Sequence, residues 1–302
     1  MPSIPPAITS ITGYHGGMKN TSRRFALALA ALVLLVATAG CSLRKLGYNL
    51  AGLLVTRELT EMFDLGAAEE QELGVRVAAA HAWHRRNELP RYAAFLDAVI
   101  VKLADGADAG EARWMAGEID RAVDRLVTLL VPELARVVAG LDDRQLGHAA
   151  RALDDERRER DAKLDAPTDQ YVAHRMKRVR KQLKTWLGGT TDEQLRLVER
   201  YVRAHQDDER RRHQSERGTQ AALMTFLHKH PGAPAIEAAL RGWINGQRDA
   251  STEAGRVELQ RRADFTELLL AIDRLLTPAQ RSHLLGELRS LRVDLDAMMR
   301  AR

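Results

Sequence analysis

The chain has 302 residues, of which 45% are apolar, 5% aromatic and 29% charged, with nine prolines and one cysteine, Cys41. That length supports one large or two small cores, and a mix rich in alanine, leucine, arginine and glutamate favours helix over sheet. A single cysteine excludes an intrachain disulfide framework and any multi-cysteine metal site. The net charge of +5 falls to +2, with 43 basic against 41 acidic side chains, once Lys19, Arg23 and Arg24 are set aside with their leader, so nucleic acid is not an expected partner.

Residues 1–17, MPSIPPAITSITGYHGG, have the character of neither leader nor domain and are taken as an upstream extension, with Met18 as the start. Residues 18–40 have the layout of an export signal. Three basic residues come first, then the apolar run Phe25–Ala37, then the small residues Thr38, Ala39 and Gly40. The run is shorter than the about 20 residues that cross a bilayer. TAGC at 38–41 resembles the lipobox of bacterial lipoproteins. The resemblance implies cleavage between Gly40 and Cys41 and acylation of Cys41. With Ser42 next, it also implies transfer to the outer membrane. More than one acyl chain gives a stable anchor. Residues 41–64 then form a lipid-anchored, membrane-proximal segment, and 65–302 a helical domain.

No strand-like alternation persists, and no Asn-Gly or Asp-Gly hairpin signal lies between apolar runs. Helical stripes recur instead: Leu89, Ala93, Leu96, Ile100 and Leu103; Met176, Val179, Leu183, Trp186 and Leu187; Leu268, Ile272, Leu275 and Leu276; Leu284, Leu288, Leu291 and Leu295. Short breaks at 104–110, 165–169, 187–192 and 228–234 separate them. The expected fold is an all-α antiparallel bundle of about eight to ten helices over 44–301. Its last two helices, at about 250–275 and 277–301, are expected to form a hairpin.

Three breaks share one register. LDDRQL from 141, TTDEQL from 190 and LTPAQR from 276 each place a capping side chain three positions before a glutamine. The pairs Asp142–Gln145, Thr191–Gln194 and Thr277–Gln280 are therefore expected to be capping boxes. LGAAE from Leu65 is a looser fourth copy. The shared register suggests duplicated helix-start units.

The densest cluster of chemistry-bearing side chains is HAWHRRNELPRY at 81–92. His81 and His84 have chelate spacing on a helix, but a zinc site needs three or four ligands, and no HExxH or paired ExxH supplies them, so no metal is expected. His84 continues the stripe Leu73, Val77, Ala80 and is expected at the core edge. Pro90 cannot donate to the Arg86 carbonyl, so the helix must kink or restart there. Asn87 is expected to cap the restart with Glu88 in its first turn, and Trp83 and the histidines to pack where the two segments change direction; Arg85, Leu89 and Tyr92 complete the cluster.

GCSLRKLGYNLAGLL at 40–54, HAWHRRNELPRYAAFL at 81–96 and the L/T-x-x-x-Q helix starts resemble the bacterial lipoproteins grouped as domain of unknown function 6279. The departure is YNLAG at 48–52, where that family carries a more aromatic string. The resemblance implies class and address rather than mechanism. LTPAQ at 276–280 also resembles the LTxxQ motif of small helical periplasmic stress proteins.

No nucleophile elbow, S-x-x-K set or glycine-rich phosphate loop is present, so no catalytic residue and no cofactor is expected. The basic run HRMKRVRKQLK at 174–184 is taken as a solvated face, balanced by DDERRERD at 154–161 and DDERRRH at 207–213, with lipid A phosphates, inner-leaflet headgroups or an acidic partner as its alternative contacts. HKHPG at 228–232 reads as a helix end with cations near its dipole. The function expected is a non-enzymatic outer-membrane lipoprotein, a periplasm-facing binding or scaffold module with an envelope protein as partner. The alternatives are a chaperone-like stress protein, or an enzyme on envelope polymers with a pocket around His84 and Glu88.

Overall fold

The computed structural model describes residues 41–301, with side chains from Arg44 onward. The upstream extension 1–17, the signal 18–40 with Gly40, and the Cys41 side chain lie outside the described residues. Every element among the described residues is a helix: α1 Cys41–Phe63, α2 Ala67–Asn87, α3 Leu89–Lys102, α4 Ala109–Ala139, α5 Asp143–Leu164, α6 Thr168–Leu187, α7 Asp192–Ala204, α8 Gln206–Leu227, α9 Ala233–Gly246, α10 Glu253–Arg274 and α11 Pro278–Arg300. The all-α expectation holds, with more helices than the sequence breaks suggest. One reason is His205, a one-residue junction between α7 and α8 with neither glycine nor proline to announce it.

Three apolar clusters hold the helices together. In the first, Leu89, Ala93, Leu96 and Val99 of α3 meet Leu288, Leu291, Leu295 and Met298 of α11, with Tyr48 of α1. In the second, Met62 and Phe63 of α1 join Val131, Ala135 and Val138 of α4, Leu146 and Ala149 of α5, Leu227 of α8, and Ile236 and Leu240 of α9. In the third, Tyr171, Val172 and Met176 of α6 pack with Val198 and Val202 of α7 and with Leu268 and Ile272 of α10. The i, i+3/i+4 stripes are thus the inward faces, as amphipathic periodicity requires.

The C-terminal hairpin does not form. Helix α11 lies chiefly against α3, α1 and α6, whereas α10 lies against α8 and α7. The leucine stripe of α11 finds its match in the α3 stripe, while α10 leaves Leu259, Phe265 and Leu269 exposed. A buried ion pair fixes the arrangement: Arg44 Nη1 donates to Asp294 Oδ2 at 2.9 Å, joining the start of α1 to α11. Proline is not confined to ends and breaks either, because Pro132 lies inside α4.

All three predicted capping boxes are present. In each, the glutamine N–H is bound by the cap side chain, at 2.7 Å from Asp142, 3.2 Å from Thr191 and 3.2 Å from Thr277. Each glutamine carbonyl returns a bond to the cap N–H. Their spare amide groups then pair across helices. Gln194 and Gln280 exchange reciprocal amide bonds at 3.0 Å. Gln194 also donates to the Leu275 carbonyl and Gln280 to the Gly189 carbonyl, each two residues before the other's cap. The looser copy behaves alike: Glu69 accepts from its cap Gly66 and from the Gln145 side chain. The boxes therefore stand in two back-to-back pairs. Gly188, at φ 73°, ends α6 just before the Thr191 box in a conformation that L side chains rarely adopt.

Replacing Gln280 with leucine takes one amide bond pair from fully buried Gln194 and leaves the Thr277 N–H and the Gly189 carbonyl without their side-chain partner, and is expected to lower the unfolding free energy by about 2 kcal/mol. Because one amide pair is shared, urea unfolding of the Q194L/Q280L double variant should lose less than the sum of the single losses.

Candidate functional site

The 81–92 stretch forms a buried corner where α2 meets α3. His84 is 1% exposed and Glu88 0%. His84 Nδ1 lies 3.0 Å from the Tyr48 hydroxyl of α1. The Tyr48 ring faces His81 at 4.6 Å, and His84 meets the edge of Tyr92 at 5.5 Å. Arg85 lies over Tyr48 and donates to Asn49 Oδ1 and to the Ala301 carbonyl, gathering α1 and the end of the chain onto the corner. Glu88 receives two parallel bonds from Arg125 of α4, at 2.8 and 2.9 Å. Leu89 enters the α3–α11 cluster, Trp83 is half-buried, and Pro90 sits exposed in the first turn of α3.

Two details differ from expectation. Asn87 does not cap the restart; its side chain donates back to the Trp83 carbonyl, and the cap position falls to Glu88. The turn is tight because Glu88 N–H still binds the His84 carbonyl while its own carbonyl accepts from Tyr92. His84 is also deeper than the core edge. Its neighbours are rings, so burial, reinforced by His81, pulls its pKa down to about 4, and burial pushes the Tyr48 hydroxyl up to about 12. Both are neutral at pH 7. His84 binds Tyr48 and Glu88 binds Arg125, so the two do not converge on a common pocket. Among the described residues no group of three His, Cys, Asp or Glu side chains could hold a metal.

The large concavity lies elsewhere. A cavity of about 720 Å³ opens between α5, α6, α8 and α9, with α1 and α4 beneath it and α10 at its side. That is the size of an ordinary small-molecule site. Its polarity changes along its length because α5 and α8 pack together with opposite orders of composition. Helix α5 contributes Leu146, Ala149 and Leu153 early and Glu156, Arg157 and Arg160 late. Helix α8 contributes Glu209, Arg212 and Glu216 early and Leu223, Met224 and Leu227 late. The late half of α5 meets the early half of α8: Arg160 pairs with Glu216 at 2.7 Å, and His213 lies 3.0 Å from Asp161. The apolar halves meet in the second core cluster, beside Met62, Phe63, Ile236 and Leu240.

At the charged end every acid on which a shift is resolved is committed to cations. Burial alone would raise the Glu209 carboxyl, but Arg212 and Arg175 outweigh it and hold it below the usual range. Burial likewise opposes ionisation of Glu216, which His213, Arg212 and Arg160 reverse. Glu258 is held down against burial by Arg261 and Arg262. Two of the cavity's arginines make no direct ion pair. Arg175 and Arg178 of α6 both line the cavity and form no ion pair among the described residues. Arg175 sits over the Tyr171 ring at 5.9 Å, and its Nε is buried without a hydrogen-bond partner. Desolvation and the Arg175 charge both push the Arg178 guanidinium down.

The sequence segments that form this end were all visible as charge runs, at 154–161, 174–184 and 207–213. Reading them as mutually balancing solvated faces misses that one side of each turns inward. Lys177, Arg180, Lys181 and Lys184 do face solvent. Arg178 is exposed as well, at the rim of the cavity, whereas Arg175 is half-buried; Arg175 lies one turn from buried Tyr171 and could have been assigned inward on that spacing. The histidines of HKHPG do more than end α8: His228 and His230 both approach Asp143 Oδ1 at 3.2 Å, clamping α8 to the start of α5.

Replacing Arg125 with alanine leaves the buried Glu88 carboxylate with only the exposed Arg91 at 3.4 Å and is expected to cost on the order of 3 kcal/mol in denaturant unfolding. For His84 the folded pKa of about 4 lies below the unfolded value of about 6.5. The stability it carries is complete above pH 6.5 and is lost as pH falls toward 4, by about 3 kcal/mol in all. Unfolding free energies measured across that window should fall less steeply in a His84→Gln variant than in the parent.

Residues 61–249 match DUF6279, described as a family of unknown function. Comparison with curated proteins and with solved structures found no match. The matched stretch begins after the departure at 48–52. It contains the whole 81–92 corner and the cavity-lining residues from Met62 to Arg248, leaving out only Glu258 and Arg262 of α10. With more than half of its length matched, the chain belongs to the DUF6279 family.

Proposed function

We propose that this chain is a non-catalytic binding module of the bacterial outer membrane, facing the periplasm and anchored through acyl chains on Cys41, and that the cavity is its ligand-receiving element. The observation that carries the binding half is the cavity itself: about 720 Å³, apolar at one end and charged at the other, with two arginines on α6 that make no direct ion pair. Unfilled volume beside apolar side chains costs stability, and such a departure from good packing points to a site.

The anchor is supported by the signal layout ending in TAGC and by α1, which begins at Cys41. Leu46, Leu50, Leu53 and Leu54 lie on one exposed face of α1, all within about 20 Å of Cys41 at the helical rise. An apolar stripe so close to an acylated residue suits the membrane interface. No helix among the described residues is long and apolar enough to cross a membrane, so attachment is assigned to the lipid. The absence of catalysis is supported by the burial of His84 and Glu88 and by the commitment of the cavity carboxylates to arginine pairs. The back-to-back capping boxes explain the L/T-x-x-x-Q strings in full, so those strings carry no weight for a chaperone. Their pairing, reciprocal between Gln194 and Gln280 and a single bond from Gln145 to Glu69, supports a duplication of helix-start units.

Mass spectrometry of the mature N-terminus should find Cys41 acylated, and a Cys41→Ser variant should move from the membrane to the soluble fraction; an unmodified Cys41 overturns the anchor. The uncharged fluorophore N-phenyl-1-naphthylamine should bind the purified protein with a rise in emission. A Leu153→Trp variant, which fills the apolar end, should abolish that rise; no uptake by the parent protein overturns the cavity as a binding element.

A further inference from the structure

We propose that the cavity binds an anionic single-chain amphiphile, its acyl tail in the apolar end and its carboxylate or phosphate head on Arg175 and Arg178; this rests on the cavity being the binding element. The tail is assigned by the apolar end, built from Leu153, Leu223, Met224, Ile236 and Leu240. None of these side chains offers a hydrogen bond, so a polar or carbohydrate ligand is disfavoured there, because each of its groups would lose water without replacement. A chain of methylenes loses nothing and removes apolar surface from water.

The head is assigned by charge accounting. Glu209, Glu216 and Glu258 are each engaged by arginine. The cations Arg157, Arg160, Arg212 and Arg262 are each engaged by a carboxylate. Arg175 and Arg178 are left, one helical turn apart on α6. Arg175 acts on Glu209 through its charge, without a hydrogen bond or ion pair to it, and Arg178 is exposed at the rim. Like charges at that spacing repel, and an anion between them would relieve the repulsion and accept charge-assisted bonds. A guanidinium fork prefers planar carboxylate or phosphate oxygens over a point anion. An acidic peptide helix would also bring negative charge. It would need a face as long as itself, however, whereas here the two cations without a direct ion pair lie at one end of a cavity of small-molecule size.

Fluorophore displacement tests this on the full-length protein. Laurate and dodecyl phosphate are expected to displace N-phenyl-1-naphthylamine at concentrations on the order of tenfold below those of uncharged dodecanol. An R175Q/R178Q variant should still take up the fluorophore, which shows that it is folded, and should lose the preference for the anionic chains. An Arg203→Gln variant, altered at a surface ion pair with Asp169, should keep it. Inorganic phosphate competing as well as dodecyl phosphate would make this a simple anion site and overturn the proposal. So would equal displacement by dodecanol, displacement by phosphatidylglycerol vesicles but not by monomers, or displacement only by an acidic amphipathic peptide. Fluorophore uptake without a charge preference defeats the anionic ligand alone; no uptake at all defeats the binding cavity beneath it.

Discussion

Glu88 has no exposed surface, and a carboxylate so placed is tolerable only if a cation meets it in good geometry. Arg125 does so with two bonds, and much of the architecture follows from that requirement. The pair holds the α2–α3 corner against α4, a helix of 31 residues, or about 46 Å. On one side of Arg125, α4 sends Trp114 and Met115 into the α3–α11 cluster. On the other, Val131, Ala135 and Val138 build the core beneath the cavity. The most conspicuous string in the sequence thus buries His84 and Glu88 away from any cavity, and only His81, Ala82, Arg85 and Arg86 line a concavity, of about 510 Å³, against α1. It positions the helix on which the site stands.

What could be read from the sequence was what depends on neighbours in the chain. A capping box is complete within four residues, so Asp142–Gln145, Thr191–Gln194 and Thr277–Gln280 were legible from spacing alone. Their pairing across 86 residues, between Gln194 and Gln280, was not, because nothing local says which spare amide meets which. The same division explains the error at the C-terminus. A short turn with two amphipathic flanks suggests a hairpin, yet the α11 stripe is better matched by α3 than by α10. At Asn87 a competing local bond, to the Trp83 carbonyl, displaced the expected cap. The cavity was the least legible feature. Each of its charge runs is ordinary on a solvated helix, and only the antiparallel packing of α5 on α8 turns two separate composition gradients into one polarity axis.

The cavity also marks where the fold departs from economical packing. Elsewhere, buried charge is matched: Arg44 with Asp294, Glu88 with Arg125, Arg160 with Glu216. Arg175 and Arg178 make no direct ion pair, although filling the cavity and neutralising one of them would be simple routes to greater stability. Locally consistent sequences tend to break their own rules at functional positions. The arginines without a direct ion pair and the open volume coincide, which favours a site there over the corner, where the charged groups of Glu88 and Arg85 are engaged by Arg125, Asn49 and the Ala301 carbonyl.

Helix α1 connects the proposed anchor to the proposed site. Its first residue is Cys41, and its last turn supplies Met62 and Phe63 to the cavity lining, about 30 Å away along a straight helix. If α1 stood upright on the bilayer, its exposed leucines would face water and the cavity would lie well above the headgroups. With α1 lying in the interface, Leu46, Leu50, Leu53 and Leu54 are covered and Met62 comes down to the level of the membrane surface. The burial of four leucines favours the second arrangement by several kcal/mol at about 1.5 kcal/mol for each side chain. With the proposed anchor, that orientation would bring the cavity next to a bilayer, a source of anionic acyl chains. The amphiphile would then enter by lateral transfer from the leaflet, with little of its tail exposed to water on the way.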